Sequence, residues 1–326
     1  MEDETLFEQR IDVSELSKAV ANLQTEIRKV IVGQDEMVQL IITAIIADGH
    51  VLIEGVPGVA KTLAAKLVSK SLQTAFSRIQ FTPDLMPSDV LGTNIFNPGS
   101  GHFEFKKGPV FSNIVLIDEI NRAPAKTQSA LFEVMEERQV TIDGTSHKMK
   151  NPFMVLATQN PIEQEGTYRL PEAQLDRFIF KIKVPYPSEA DEVTILQRFH
   201  QLDNDGKIEV VNAVLNADEI VHLRQLARKI IVEDKLLSFI AKIITATRND
   251  KAIYLGASPR ASLAILQAAK ATAAIAGRDF ITPDDIIFVA VPVLRHRIIL
   301  TPEKEMEGVS EDEVINKIVH SIEVPR

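Results

Sequence analysis

The sequence predicts an α/β core, a parallel sheet covered by helices on both faces, followed by an all-helical domain. Three observations predict it. Five near-continuous apolar runs, HVLIEG (50–55), FSRIQF (76–81), NIVLIDE (113–119), FMVLATQN (153–160) and FIFKIKV (178–184), alternate with helical stretches, the pattern of strands buried on both faces. The first run passes through GVPGVAKT (55–62) into a helical stretch, giving a strand, loop, helix order. After VPYPSEADE (184–192), where Pro185 and Pro187 break the pattern, β-runs vanish and helical stretches continue to the end. A boundary at 187 follows, with the core over 1–187 and the helical domain over 188–326.

Each element has a local justification. Val13, Leu16, Val20, Leu23, Ile27 and Val30 fall on one helical face and predict a leading helix over 12–30. Between the second and third apolar runs, 91–111 contains Asn97-Pro98-Gly99-Ser100-Gly101, a turn inside a hairpin. A second hairpin over 139–149 turns at Asp143-Gly144, the favoured chemistry of a two-residue turn. Both should project from the sheet. In the second half, Thr282-Pro283-Asp284-Asp285 starts a helix with Thr as N-cap, Pro at the first helical position and acid in the first turn.

Composition narrows the function classes. The 326 residues carry 36 Lys+Arg against 45 Asp+Glu, a net charge of −9, which argues against a surface devoted to nucleic-acid backbones. Cysteine is absent, which removes disulfides, Cys-ligated zinc, iron–sulfur clusters and thiol nucleophiles and fits a cytoplasmic location. The longest apolar stretch, Met37 to Ala47, is interrupted by Gln39 and Thr43 and falls short of the ~18–20 residues of a membrane span. The opening MEDETLFEQR is acidic, unlike a signal peptide. No two of the seven histidines stand at i, i+4, so no metal site made by protein alone is expected.

The strongest chemical signal is Gly55-Val56-Pro57-Gly58-Val59-Ala60-Lys61-Thr62. In its strand-to-helix setting this is a phosphate-binding loop. Glycines let backbone N–H groups close around phosphate oxygens, the helix N-terminus adds positive potential, Lys61 reaches the β/γ-phosphates and Thr62 ligates Mg²⁺. Ala60 stands where the general pattern has its second glycine. Downstream, IVLIDE ends a buried strand with Asp118 and Glu119. Unpaired carboxylates at such a place are costly; with nucleotide, Asp118 holds Mg²⁺ through its water shell and Glu119 is the general base.

Three residues admit two roles on local grounds. Asn160, in ATQNP, either contacts the γ-phosphate or lytic water, or merely starts a turn. Arg260, in Ser258-Pro259-Arg260, lies in a first helical turn, where the dipole disfavours a cation and a nearby anion, with phosphate the natural candidate, would resolve the conflict. Arg177, in LPEAQLDRF, falls near the end of a helix starting at Pro171, where a cation is already favoured. The hairpin residues Phe103, Phe105, Lys106, Lys107, Lys148 and Lys150 form either a gripping surface or ordinary solvated loops.

GVPGVAKT, VLIDEINRAPAKTQSALFEVMEERQVTIDG, ATQNP, LPEAQLDRF and GASPRA, in this order over roughly 20–325, strongly resemble the MoxR group of AAA+ ATPases. The resemblance implies an αβα AAA+ P-loop NTPase core, a helical lid, an insertion hairpin in the second helix and another before sensor 1. It implies that Val32 and Gly33, within Ile31-Val32-Gly33-Gln34, line the adenine pocket and that Leu63 belongs with the phosphate loop. Asp118 and Glu119 match Walker B, Asn160 sensor 1, Arg260 sensor 2, and Arg177 the finger that reaches a neighbour's nucleotide; Arg122 recurs without an assigned role. The expected protein is a Mg²⁺-dependent ATPase forming a homo-hexamer with ATP between subunits. Its hydrolysis would remodel or mature protein partners, with von Willebrand A-domain proteins suspected. A magnesium-chelatase-like motor subunit, a nucleic-acid-stimulated motor and an ATP-gated scaffold without turnover are the alternatives.

Overall fold

In the computed structural model residues 10–160, 168, 170–201 and 210–325 are described; most of the acidic opening lies outside them. Helices α1 (Ser14–Arg28) and α2 (Asp35–Ile46) come first. The core continues as β1 (His50–Gly55), α3 (Lys61–Ser71), β2 (Phe76–Gln80), α4 (Pro87–Leu91), β3 (Gly92–Asn97), β4 (His102–Lys107), β5 (Ile114–Asp118), a 3-10 turn (Ile120–Arg122) and α5 (Ala125–Glu137). It ends with β6 (Gln139–Ile142), β7 (Thr145–Lys148), β8 (Met154–Gln159), α6 (Glu172–Leu175) and β9 (Phe178–Val184). Then follow α7 (Glu189–Gln201), α8 (Ala217–Arg228), α9 (Asp234–Asn249), β10 (Ile253–Leu255), α10 (Pro259–Ile275), α11 (Pro283–Leu294), β11 (Ile299–Leu300), α12 (Pro302–Met306) and α13 (Glu311–Ser321).

All five apolar runs become strands of one parallel sheet in the order β2-β5-β8-β1-β9. The runs are apolar throughout because each face is covered. Leu52, Val115, Ile117 and Val155 pack with Leu131 and Phe132 of α5 on one face, and Val51, Ile53, Leu116 and Leu156 pack with α1, α2 and α3 on the other. The order sets β1, β5 and β8 side by side, so the segments leaving their C-terminal ends share one edge, where open α/β sheets bind ligands.

Both hairpins form, as separate two-stranded sheets. Asp143 and Gly144 take positive φ (49° and 79°), the conformation of a primed turn. The hairpins lean on one another: Asn94 Nδ2 donates to Asp143 Oδ2, and Phe105 stacks on His147 at 4.2 Å. At the start of α11, Asp285 accepts from the Thr282 N–H at 2.8 Å and grips Arg278 with both oxygens.

Two expectations are corrected. The second half is not free of strand, since β10 and β11 pair antiparallel; at three and two residues they are too short to leave a period-2 pattern. The helix predicted from Pro171 is a single turn ending at Leu175, and Arg177 lies beyond it. The cause is Arg297, whose nearly buried guanidinium donates to Asp176 Oδ1 (2.6 Å) and to the carbonyls of Phe178 (2.7 Å) and Ile179 (3.2 Å). These bonds draw the chain out of helix and into β9. Among the described residues no helix is long and apolar enough to cross a membrane.

Candidate functional site

The loop after β1 is shaped by two left-handed residues, Gly58 (φ 91°) and Ala60 (φ 60°). A Cβ on Gly58 would meet nothing within 4 Å, so its backbone conformation, not lack of space, calls for glycine. Ala60 adopts the conformation expected of the glycine it replaces, at a cost of roughly 1–2 kcal/mol. No side chain caps α3, which leaves its first N–H groups available to an anion. Lys61 Nζ folds back and donates to the Gly55 carbonyl.

Beside the loop, Asp118 ends β5 almost fully buried. Its Oδ1 accepts from Thr158 Oγ1 at 3.2 Å and lies 3.5 Å from Thr62 Oγ1, while Oδ2 accepts from Arg78 Nε at 2.6 Å. Glu119 follows with a left-handed φ of 57°, its N–H donating to Thr158 Oγ1 at 3.0 Å. Its carboxylate accepts from Gln80 Nε2 at 2.8 Å and faces Arg122 Nε at 3.2 Å. Arg78 and Gln80 were not singled out from the sequence. The signal was a pair of polar residues two apart on an edge strand, with Gln80 in register with Asp118. Asn160 is buried where β8 ends, between the ends of β5 and β1. Thr62 and Asp118 offer the oxygen donors that a hard cation such as Mg²⁺ takes.

An apolar cavity of ≈ 320 Å³ opens next to the loop, with Val32 on one wall and Gly58, Ala60 and Leu63 on another. Helix α7 closes it with Ile195 and Arg198, also not singled out from the sequence. Arg198 is anchored on the carbonyls of Arg28 (3.0 Å) and Lys29 (3.1 Å). Gly33 has φ 70°, and its missing Cβ would stand 2.6 Å from the Asp191 carboxyl. An apolar slot beside a phosphate loop suits a flat heterocycle.

The two remaining arginines lie elsewhere. Arg260 and Arg177 both face Glu136, Arg260 through a direct hydrogen bond and Arg177 at 3.9 Å. Glu136 is near the C-terminal end of α5; the Met135 carbonyl beside it faces His50, the first residue of β1, and His50 is in register with Phe178, next to Arg177. This cluster therefore sits at the N-terminal edge of the sheet, one strand length, ~20 Å at about 3.3 Å per residue, from the loop of the same chain. The anion that Arg260 meets in this structure is the Glu136 carboxylate. Ser258, just before α10, donates to Asp176 Oδ2 at 3.0 Å and makes no side-chain cap on that helix. Behind the cluster His50 is buried and neutral: the Val155 N–H donates to Nδ1 at 2.9 Å, so Nε2 carries the proton to the Met135 carbonyl. Burial first, then Arg138, push its pKa down to about 4. Burial and Arg297 push His296 well below the ordinary value too.

Comparison with known proteins identifies the family. A family model described as "ATPase family associated with various cellular activities (AAA)" matches residues 50–180, and an AAA lid domain model matches 245–318. The chain is 44% identical over 310 residues to Chaperone MoxR1 of Mycobacterium tuberculosis, covering 92% of this chain and 81% of that protein. It is 31% identical over 311 residues to Protein MoxR of Methylorubrum extorquens, covering 88% and 90%. A crystal structure of an ATPase candidate from Cytophaga hutchinsonii superposes with a TM-score of 0.88 at 41% identity, covering both chains in full. On these likenesses the chain belongs to the MoxR family of AAA+ ATPases and hydrolyses ATP.

Proposed function

We propose that the chain is a Mg²⁺-dependent cytoplasmic motor that assembles with copies of itself into a ring, a hexamer by family resemblance, and spends ATP on remodelling or maturing a protein partner. A von Willebrand A-domain protein is the partner the resemblance suggests. The observation that carries the reading is the separation of Arg177 and Arg260 from their own phosphate loop. Both arginines would serve the nucleotide of a neighbouring copy, so hydrolysis needs two chains.

In this reading the amides of 55–62 and Lys61 hold the phosphates, and Val32 and Gly33 border the base. Thr62 and Asp118 would hold Mg²⁺, which when bound neutralises charge on the β- and γ-phosphate oxygens. Glu119, released from Gln80, takes a proton from the attacking water, and Asn160 orients that water. The neighbour's Arg177 and Arg260 offset charge on the transferring phosphoryl group. A relative named as a chaperone supports the remodelling role.

The test is Glu119→Gln. Phosphate release should fall ~10²-fold or more while ATP binding persists, and light scattering with ATP should give a particle several times the chain mass. A monomer in every nucleotide state would contradict the proposal.

A further inference from the structure

The Asp118 carboxylate is almost completely removed from water, and its two oxygens are treated differently. Oδ1 is engaged by hydroxyl groups, from Thr158 and Thr62, whereas Oδ2 faces a full positive charge, Arg78 Nε at 2.6 Å. A buried carboxylate without a cation is strongly disfavoured, and Arg78 supplies that cation from the edge strand β2. Its own side chain is 48% exposed, so it can swing into solvent without becoming a buried charge. A divalent ion held on the Oδ1 side, next to Thr62, would repel the guanidinium on Oδ2.

We propose that Arg78 is a positioning residue that acts as the resident counter-cation of Asp118 in the nucleotide-free chain and is displaced when Mg²⁺ enters with nucleotide. It sets the Mg²⁺ concentration at which nucleotide binding becomes tight. The inference rests on the assignment of Asp118 as the carboxylate that holds Mg²⁺. Its functional consequence is an empty site kept closed to stray cations: Mg²⁺ must arrive with phosphates to outcompete an arginine already in place.

The experiment is calorimetric titration of the full chain with ADP, which avoids turnover, across a Mg²⁺ series and in EDTA. Arg78→Ala should lower the half-saturating Mg²⁺ about three- to tenfold and leave ADP affinity in EDTA unchanged. Arg78→Gln, which keeps a hydrogen-bond donor for Asp118 should the alanine chain fail to fold, should shift it in the same direction. Arg78→Lys, which restores the charge, should return it toward the native value. An unchanged Mg²⁺ requirement in both neutral variants overturns the proposal. So does a selective loss of affinity for a non-hydrolysable ATP analogue over ADP, which would make Arg78 a γ-phosphate ligand. ADP binding indifferent to Mg²⁺ in the native chain overturns the assignment of Asp118 itself, and the role of Arg78 with it.

Discussion

Ala60 shows how a single residue carries both motif and strain. Its φ of 60° is the conformation glycine adopts freely, so Ala60→Gly relieves strain but adds freedom to the unfolded chain. The two terms, roughly 1–2 and about 0.4–1 kcal/mol, oppose one another. The stability measured by urea unfolding should change by less than about 1 kcal/mol, whereas Gly58→Ala, at φ 91°, should lower it by about 1 kcal/mol or more. Legibility at this scale follows the distance along the chain over which a residue finds its partner. Lys61, Thr62, Asp118 and Glu119 belong to short motifs whose chemistry is complete in a few residues. Arg78 and Gln80 find their partners 40 and 39 residues away, across a sheet register that periodicity does not specify. Arg260 is the harder case: its dipole conflict correctly implied an anion, but Glu136 lies 124 residues upstream on another element.

At the scale of elements, runs buried on both faces were legible because nothing polar interrupts them, and Asp143-Gly144 announced its turn. The pair β10 and β11 and the shortness of α6 were not, because tertiary hydrogen bonds decide them. Arg297 is the clearest instance, holding Asp176 and the carbonyls that begin β9 from a position just after α11. Removing it would leave the Asp176 carboxylate without its cation in a largely buried place, with Ser258 still donating to its other oxygen. Arg297→Ala should therefore cost roughly 3–5 kcal/mol, read by chemical unfolding. It should also reduce hydrolysis in the folded fraction, since Arg177 adjoins the freed segment. Within the sheet, Leu116→Ala should cost about 2–5 kcal/mol, as Leu116 is fully buried.

For the whole molecule, stability should depend on pH through its buried histidines. The folded pKa of His50, about 4, is below the ordinary 6.5, so folding favours the neutral form. The contribution is fully present above 6.5 and is lost as pH falls from 6.5 toward 4, up to about 3 kcal/mol; His296 acts in the same direction. Urea unfolding across that window should show the decline, and His50→Gln should flatten it. The boundary proposed at 187 falls just before α7, which closes the cavity beside the loop after β1. At this scale the shared direction of β1 and β9 places Lys61 after the C-terminal end of one and Arg177 before the N-terminal end of the other, and the claim that hydrolysis needs two chains rests on that separation. Mixing Lys61→Ala chains with Arg177→Ala chains tests it most directly. Each should be inactive alone, and rings co-assembled from an equimolar mixture should recover roughly a quarter of the native sites, each joining the intact loop of one chain to the intact arginine of its neighbour. A mixture no more active than either variant alone, in particles shown to contain both, would contradict the account.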